Sequence, residues 1–288
     1  MPVQGCPGRC ATDRTMFETP RPKTSARSGL ATLEVIYHAA VRSVRKSHRN
    51  AMVGLLMNIL QTVTLVLVFY VLFTLTGMRG SAIRGDFLLY IMSGVFLFLT
   101  HTKAMGAVVR SEGPTSPMMK HAPMNAAVAI AAAAMSALYL QVLSLLAVLF
   151  VYHVGWTPVV IDDPVGAMAM LLLSWASGVA IGTVFLAAKP WMPEVVAITS
   201  SIYMRANMIA SGKLFVANAM PGYILVFFDW NPLFHTIDQA RGFTFINYNP
   251  HFSSIPYPIY VTLACLVVGL MGDFYTRQRA SISWGAKR

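Results

Sequence analysis

Charged side chains are scarce in this chain of 288 residues: only 11% are Asp, Glu, Lys or Arg, whereas soluble domains carry about 25%. Apolar residues make up 56%, and the mean hydropathy is +0.59. The cysteines at positions 6, 10 and 265 are too few and too scattered for a disulfide framework. This composition excludes an ordinary soluble domain and predicts a polytopic membrane protein.

Motifs for chemistry within the chain are missing as well. The pair Gly212-Lys213 is followed by Leu214 and lacks the upstream glycine of a phosphate-binding loop. No His, Cys and carboxylate cluster has the spacing of metal ligands. The apolar runs hold almost no carboxylates, apart from Asp273, although proton- or sodium-coupled carriers usually need ionisable groups there. We therefore expect no cofactor or metal on this chain, and ATP with Mg on a separate subunit.

Three segments differ in composition. Residues 1–28 are rich in Pro, Gly, Thr and Arg without apolar periodicity, which predicts a disordered tail. Residues 29–50 combine apolar side chains at helical spacing with basic residues near the end, which predicts an amphipathic helix on the inner membrane surface. A solvated basic helix is the alternative. Residues 51–288 form the predicted membrane domain.

Six runs are long enough to cross a membrane as helices, so we predict an all-α membrane domain. The predicted spans are 52–76, 87–109, 126–151, 165–188, 195–217 and 257–275. With the N-terminus inside, seventeen Lys and Arg residues fall on the inner side and four on the outer side. The positive-inside rule then places both termini in the cytoplasm, and the net charge of +11 requires no nucleic acid partner.

Small residues recur at four-residue intervals in the fourth span, at Ser174, Gly178 and Gly182. Such a stripe lets helix backbones approach closely, so we expect this span to be buried among its neighbours. The second span is less regular, because Lys103 lies near its cytoplasmic end. We expect that side chain to face protein or to reach the interface.

Residues 211–241 are too apolar for a surface loop and are interrupted by Gly212, Pro221 and Asn231-Pro232. Asn231 followed by Pro232 is typical of an N-cap with proline in the first helical position. We therefore predict two short re-entrant helices before the last span, the second beginning at Pro232 with an apolar side and a polar side.

This stretch resembles the type-2 ABC exporter permeases, and most of all those that export capsular polysaccharide or lipopolysaccharide O-antigen. The matching residues are Ser211, Gly212, Pro221, Asn231, Pro232, Leu233, His235, Ile237, Asp238 and Arg241. Lys213 departs from the pattern, which usually has an apolar residue there. The resemblance extends from about residue 35 to the C-terminus.

The resemblance implies a permease in the bacterial inner membrane that moves a lipid-linked polysaccharide outward. It implies a homodimer with two ABC ATPase subunits, and it raises periplasmic and outer-membrane export components as further partners. An exporter of a small hydrophobic compound is the alternative within this class. An integral membrane enzyme acting on lipid-linked sugars would need clustered carboxylates or a pair of histidines, and a passive channel would not need an ATPase contact.

The inner loop between spans two and three is the expected contact for the ATPase, and by resemblance it contains the coupling helix. Adaptable methionines flanked by charges suit such docking. The candidate coupling residues are Glu112, Met118, Met119, Lys120 and His121.

A polysaccharide path needs aromatic faces and hydrogen-bonding side chains. The candidate path residues in the first and fifth spans are Asn58, Gln61, Thr62, Phe69, Phe73, Tyr203 and Arg205. Hydrogen bonds between helices and lipid-facing aromatics are the alternative explanation. Arg205 could line a pore, or pair with Asp238 or with a neighbouring subunit, since an unpaired charge within a span is costly.

The helix opened by Asn231-Pro232 is the candidate outer gate, with residues Asn231, Pro232, His235, Asp238 and Arg241. A catalytic role would need a nucleophile, and none lies beside them in the sequence. We instead expect an Asp238–Arg241 pair at i, i+3 and a histidine hydrogen bond that anchor the helix.

Overall fold

The computed structural model describes residues 33–43, 51–75, 86–111 and 126–285, and within these ranges every regular element is a helix. Helix α1 covers 33–43 and is followed by α2 (Ala51–Leu75), α3 (Phe87–Arg110), α4 (Ala126–Gly155), α5 (Pro164–Ala188) and α6 (Pro193–Ala210). A 3-10 turn (Ala217–Ala219), α7 (Gly222–Leu225), α8 (Pro232–Thr244) and α9 (Pro256–Gly285) complete the order. The predicted all-α class is confirmed.

Five helices of the described residues are long and apolar enough to cross a membrane: α2, α3, α4, α5 and α9. The chain is therefore a multi-pass membrane protein. Helix α9 continues about ten residues beyond the predicted end of the last span. Helix α1 covers 33–43 of the predicted interfacial helix, while the tail 1–28 lies outside the described residues.

The predicted fifth span, 195–217, is not one continuous helix. Helix α6 has 18 residues, ends at Ala210 and is not among the five membrane-crossing helices. Gly212 ends it because its φ of 70° lies in the left-handed region, which glycine adopts at little cost. A Cβ at this position would also lie 2.5 Å from the Phe234 ring. The chain therefore turns away from the α6 axis and leads to α8.

The contact between α3 and α5 organises the bundle, and α3 is the most deeply buried of the membrane-crossing helices. A Cβ at Gly178 would lie 2.3 Å from the His101 carbonyl oxygen, so only glycine permits this approach. Ser174 donates to the Leu97 carbonyl at 2.9 Å across the same contact. The small-residue stripe therefore faces α3, and the predicted burial of this face of α5 is confirmed.

Helix α8 is inserted among α3, α5 and α9, at the end of the bundle where these three helices begin. We call this the α8 end. The Asp163 amide, at the start of α5, donates to the Phe243 carbonyl near the end of α8 at 2.8 Å. Ten of the thirteen α8 residues are buried, including His235, Asp238 and Arg241. The expected polar side of this helix therefore faces protein, because neighbouring segments supply its hydrogen bonds.

Candidate functional site at the α8 end

Arg241 is the most heavily bonded side chain of α8. It is 1% exposed, and its guanidinium donates to the carbonyls of Gly212 at 3.1 Å, Phe215 at 2.7 Å and Lys213 at 2.7 Å. The guanidinium also lies 4.2 Å from the centroid of the Tyr90 ring, where a cation–π interaction adds to the attraction. Arg241 thereby holds the turn that follows α6 against both α8 and α3.

Lys213 is a second buried basic side chain beside Arg241. It is 2% exposed, and its Nζ lies 3.3 Å from the centroid of the Phe98 ring and 5.0 Å from that of Phe69. Within the part of the chain that the structure describes, Nζ has no hydrogen-bond partner. A Cβ at Gly94 would lie 2.9 Å from both the Lys213 Cβ and the Arg241 guanidinium. Because Gly94 has no side chain, α3 leaves space for the side chains of Lys213 and Arg241.

Asp238 does not pair with Arg241, so the expected i, i+3 ion pair is wrong. Its carboxylate accepts instead from the Tyr248 hydroxyl and from Ser253 Oγ at 2.7 Å. Burial raises the pKa of Tyr248 well above its usual value, and the neighbouring carboxylate raises it further. The phenol therefore stays protonated, and its O–H donates a hydrogen bond to Asp238. This hydrogen bond ties α8 to the loop before α9.

His235 is held by backbone groups on both sides of its ring. Its Nδ1 accepts from the Ser254 amide at 3.1 Å, so the proton lies on Nε2, which donates to the Asp229 carbonyl at 2.7 Å. The exposed Asp229 carboxylate is a second neighbour of Nε2 at 3.3 Å. Because both ring nitrogens are engaged in this way, the ring anchors the helix, as expected, and does not present a free base.

Asn231 caps α8 as predicted: its side-chain oxygen accepts from the Leu233 amide at 3.0 Å, with Pro232 in the first turn. Its amide nitrogen has a further role that the sequence did not indicate. It donates to Asn207 Oδ1 at 2.8 Å and to the Ala210 carbonyl at 2.9 Å. One side chain therefore joins the start of α8 to the end of α6.

The predicted path residues do not share one surface, because most of them are buried inside the bundle. Asn58, Thr62, Phe69 and Phe73 are buried inside it, Tyr203 is half-buried, and Gln61 and Arg205 are exposed. Arg205 has no ion-pair partner among the described residues, Asp238 included, because that carboxylate is occupied by Tyr248 and Ser253. Of this set, only Gln61 and Arg205 are exposed in the structure.

Two polar clusters join neighbouring helices, which is the alternative considered above for Asn58 and Tyr203. In the first, Lys103 donates to Asn58 Oδ1, and Asn58 donates to Ser144 Oγ at 2.6 Å, which joins α2, α3 and α4. In the second, His101 hydrogen-bonds Ser177 Oγ at 2.9 Å and the Tyr203 hydroxyl at 3.1 Å, which joins α3, α5 and α6. Polar residues inside apolar runs mark such positions in the sequence, but the partner helix is not visible there.

The predicted coupling residues, Glu112, Met118, Met119, Lys120 and His121, all lie outside the described residues. The described part of the chain has no group of three His, Cys, Asp or Glu side chains that could hold a metal ion. At the α8 end, Asn231, His235 and Arg241 position helices and a turn by hydrogen bonds to backbone groups.

Comparison with known protein families identifies the family of this chain. The profile of the ABC-2 type transporter family matches residues 34–245, from α1 through α8. This chain belongs to the ABC-2 type transporter family. A search of the curated proteins found no match. Members of this family are the membrane permease subunits of ABC transporters, so the chain is a transporter subunit that partners with ABC ATPases.

Proposed function

We propose that this chain is the permease subunit of an ATP-driven exporter that moves a lipid-linked capsule or O-antigen polysaccharide across the bacterial inner membrane. Family membership supports the permease role. The polysaccharide substrate is supported by the motif at the α8 end, where Asn231, His235 and Arg241 each hold a different neighbouring segment. A helix held in place at several points, such as α8, suits a gate that must close behind a long polymer.

The exporter contains two copies of this chain, and the path runs between them. The exposed side of α6 carries Arg205 within a largely apolar helix, and the exposed side of α2 carries Gln61. A charge at this depth is costly in lipid, so Arg205 must face water, substrate or the second copy. Facing copies of these two surfaces would form the pathway, and α6 with the turn after it would complete a sixth crossing.

The ATPase is expected to dock on the inner loop between α3 and α4. Replacing Met118-Met119 with Asp-Asp should abolish co-purification of the ATPase and with it export, because two added charges oppose burial of an apolar docking surface. The membrane domain should still insert, since the change lies outside the apolar helices. The measurement is the ATPase-to-permease ratio after affinity purification from membranes.

The same loop provides the control. Replacing Thr115-Ser116 with Asp-Asp adds equal charge without removing a methionine, and it should leave most of the ATPase bound. If the Met118-Met119 variant retains the ATPase at the wild-type ratio, this loop is not the main docking site.

Both termini are expected to lie in the cytoplasm, with the α8 end of the bundle outside. Asp162 is exposed beside this end, so Asp162→Cys should react with a membrane-impermeant maleimide in intact cells. Ser116→Cys, in the predicted inner loop, should react only after lysis. Both labels should be compared in a background without the three native cysteines. If Ser116→Cys reacts in intact cells and Asp162→Cys does not, the orientation is the reverse of the one predicted.

A further inference from the structure

A cavity of about 270 Å³ lies at the opposite end of the bundle from α8, between the end of α3, the turn after α5 and the first two thirds of α6. Its lining includes two cations, Arg110 and Lys189, two hydroxyls, Ser200 and Ser201, and apolar side chains such as Met105 and Met204. None of the roles assigned above uses this cavity.

The two cations are available to an anionic ligand. Lys189 Nζ donates to the Val109 carbonyl at 2.9 Å, which uses one of its three donors. The Arg110 guanidinium folds back along α3, so that a Cβ on Gly106 would lie 3.3 Å from one of its nitrogens. Among the described residues, no carboxylate lies within ion-pair distance of either cation, and Glu194 at the start of α6 is exposed.

The serines add a second chemical preference. Ser200 Oγ donates to the Ala197 carbonyl at 3.2 Å, and Ser201 Oγ donates to the same carbonyl at 2.8 Å. With its proton used in this way, each hydroxyl is left as an acceptor. The cavity therefore offers cations for a phosphate at the helix ends and hydrogen-bond acceptors deeper along α6.

Polarity changes along the cavity in the direction of the helix axes. Arg110 and Lys189 lie at the helix ends, whereas Met105 lies five residues deeper on α3, about 7 Å by helical rise. Met204 lies eleven residues into α6 from Pro193, about 16 Å along that helix. Ser200 and Ser201 lie between these depths, seven and eight residues into α6, or about 11 Å. A charged head beside the helix ends and an apolar tail at the depth of Met204 match this order.

We propose that this cavity binds the phosphate headgroup of an anionic membrane lipid, with its chains running past the serines towards Met204. Two sources share this chemistry: a bulk anionic phospholipid such as phosphatidylglycerol, and a lipid-linked glycan. The first is independent of the proposed function, whereas the second rests on it.

The test uses full-length protein in nanodiscs of phosphatidylethanolamine with one quarter phosphatidylglycerol. A photoreactive p-benzoylphenylalanine is incorporated at Ala197, which is exposed at the cavity, and for comparison at the adjacent Ile198, which does not line it. We expect phosphatidylglycerol to be enriched over its bulk fraction in the lipid cross-linked at 197 but not at 198. Arg110→Gln with Lys189→Gln should return the phosphatidylglycerol fraction cross-linked at 197 to its bulk value, because each cation removed weakens the binding of an anionic lipid by about fivefold.

Native mass spectrometry of the unlabelled protein gives an independent readout, and it guards against blockage of the cavity by the photoreactive group. The proposal is supported if the wild-type protein retains bound phosphatidylglycerol and the Arg110→Gln, Lys189→Gln variant does not. Adding lipid-linked glycan as a minor component then separates the sources, because a cargo site would exchange its phosphatidylglycerol for glycan and a resident lipid site would not. The proposal of a lipid site in this cavity would be overturned by equal lipid composition at 197 and 198, together with no difference between wild type and variant by mass spectrometry.

Discussion

Arg241→Met is expected to abolish export and to destabilise the permease by about 3 kcal/mol or more. The substitution leaves three buried carbonyls, on Gly212, Lys213 and Phe215, without their donor, and each buried group that loses its partner costs about 1–3 kcal/mol. Insertion and ATPase binding should persist, because Arg241 lies at the α8 end and the expected docking loop is at the other. Thermal unfolding in detergent and surface glycan in cells measure the two effects.

Arg241→Lys refines this prediction, because it keeps the charge but not the planar fork that reaches several acceptors at once. It should fall between wild type and Arg241→Met in stability. Arg205→Met is the matched control, since this arginine is exposed in the protomer, and its stability should change by no more than about 0.5 kcal/mol. An Arg241→Met protein with wild-type unfolding and export would show that the turn after α6 does not need its anchor.

Gly178→Val is expected to give little folded protein. Its Cβ would lie 2.3 Å from the His101 carbonyl oxygen, and backbone on both helices must move to relieve that contact. Moving α5 away from α3 also weakens the Ser174–Leu97 and His101–Ser177 hydrogen bonds. Overpacking of a well-packed contact costs about 1–3 kcal/mol or more. The yield of monodisperse protein and its melting temperature in detergent measure the effect.

Gly155→Val is the control for this second substitution, because a Cβ at Gly155, the last residue of α4, would meet nothing within 4 Å. It should give wild-type yield and melting temperature. If Gly178→Val behaves in the same way, the close approach of α3 and α5 is not required for folding.

Hydropathy alone located the five membrane-crossing helices, because a run of about twenty apolar residues has few alternatives to a spanning helix. The start of α8 could also be predicted from the sequence, because Asn231 followed by Pro232 is a common helix N-terminus. The face of α5 that carries Gly178 was predictable too, since small residues at four-residue spacing have a direct steric meaning.

Pairings between segments were not predictable in this way. The sequence favoured an ion pair between Asp238 and Arg241, yet each side chain found partners 10 to 29 positions away along the chain. The early end of α6 depends on the left-handed conformation of Gly212 and on the Phe234 ring beside it. The path residues Asn58 and Phe69 occupy an inward face, because the rotation of α2 is set by its contacts with α3 and α4.

We propose that this permease moves a lipid-linked glycan only when a separate ATPase drives it. The most direct measurement is movement of fluorescent lipid-linked glycan between the leaflets of proteoliposomes that contain this chain together with its ATPase. We predict transfer that requires both ATP and the ATPase and that is lost with Arg241→Met. Transfer at the same rate without ATP, or in vesicles that contain this chain alone, would contradict the account.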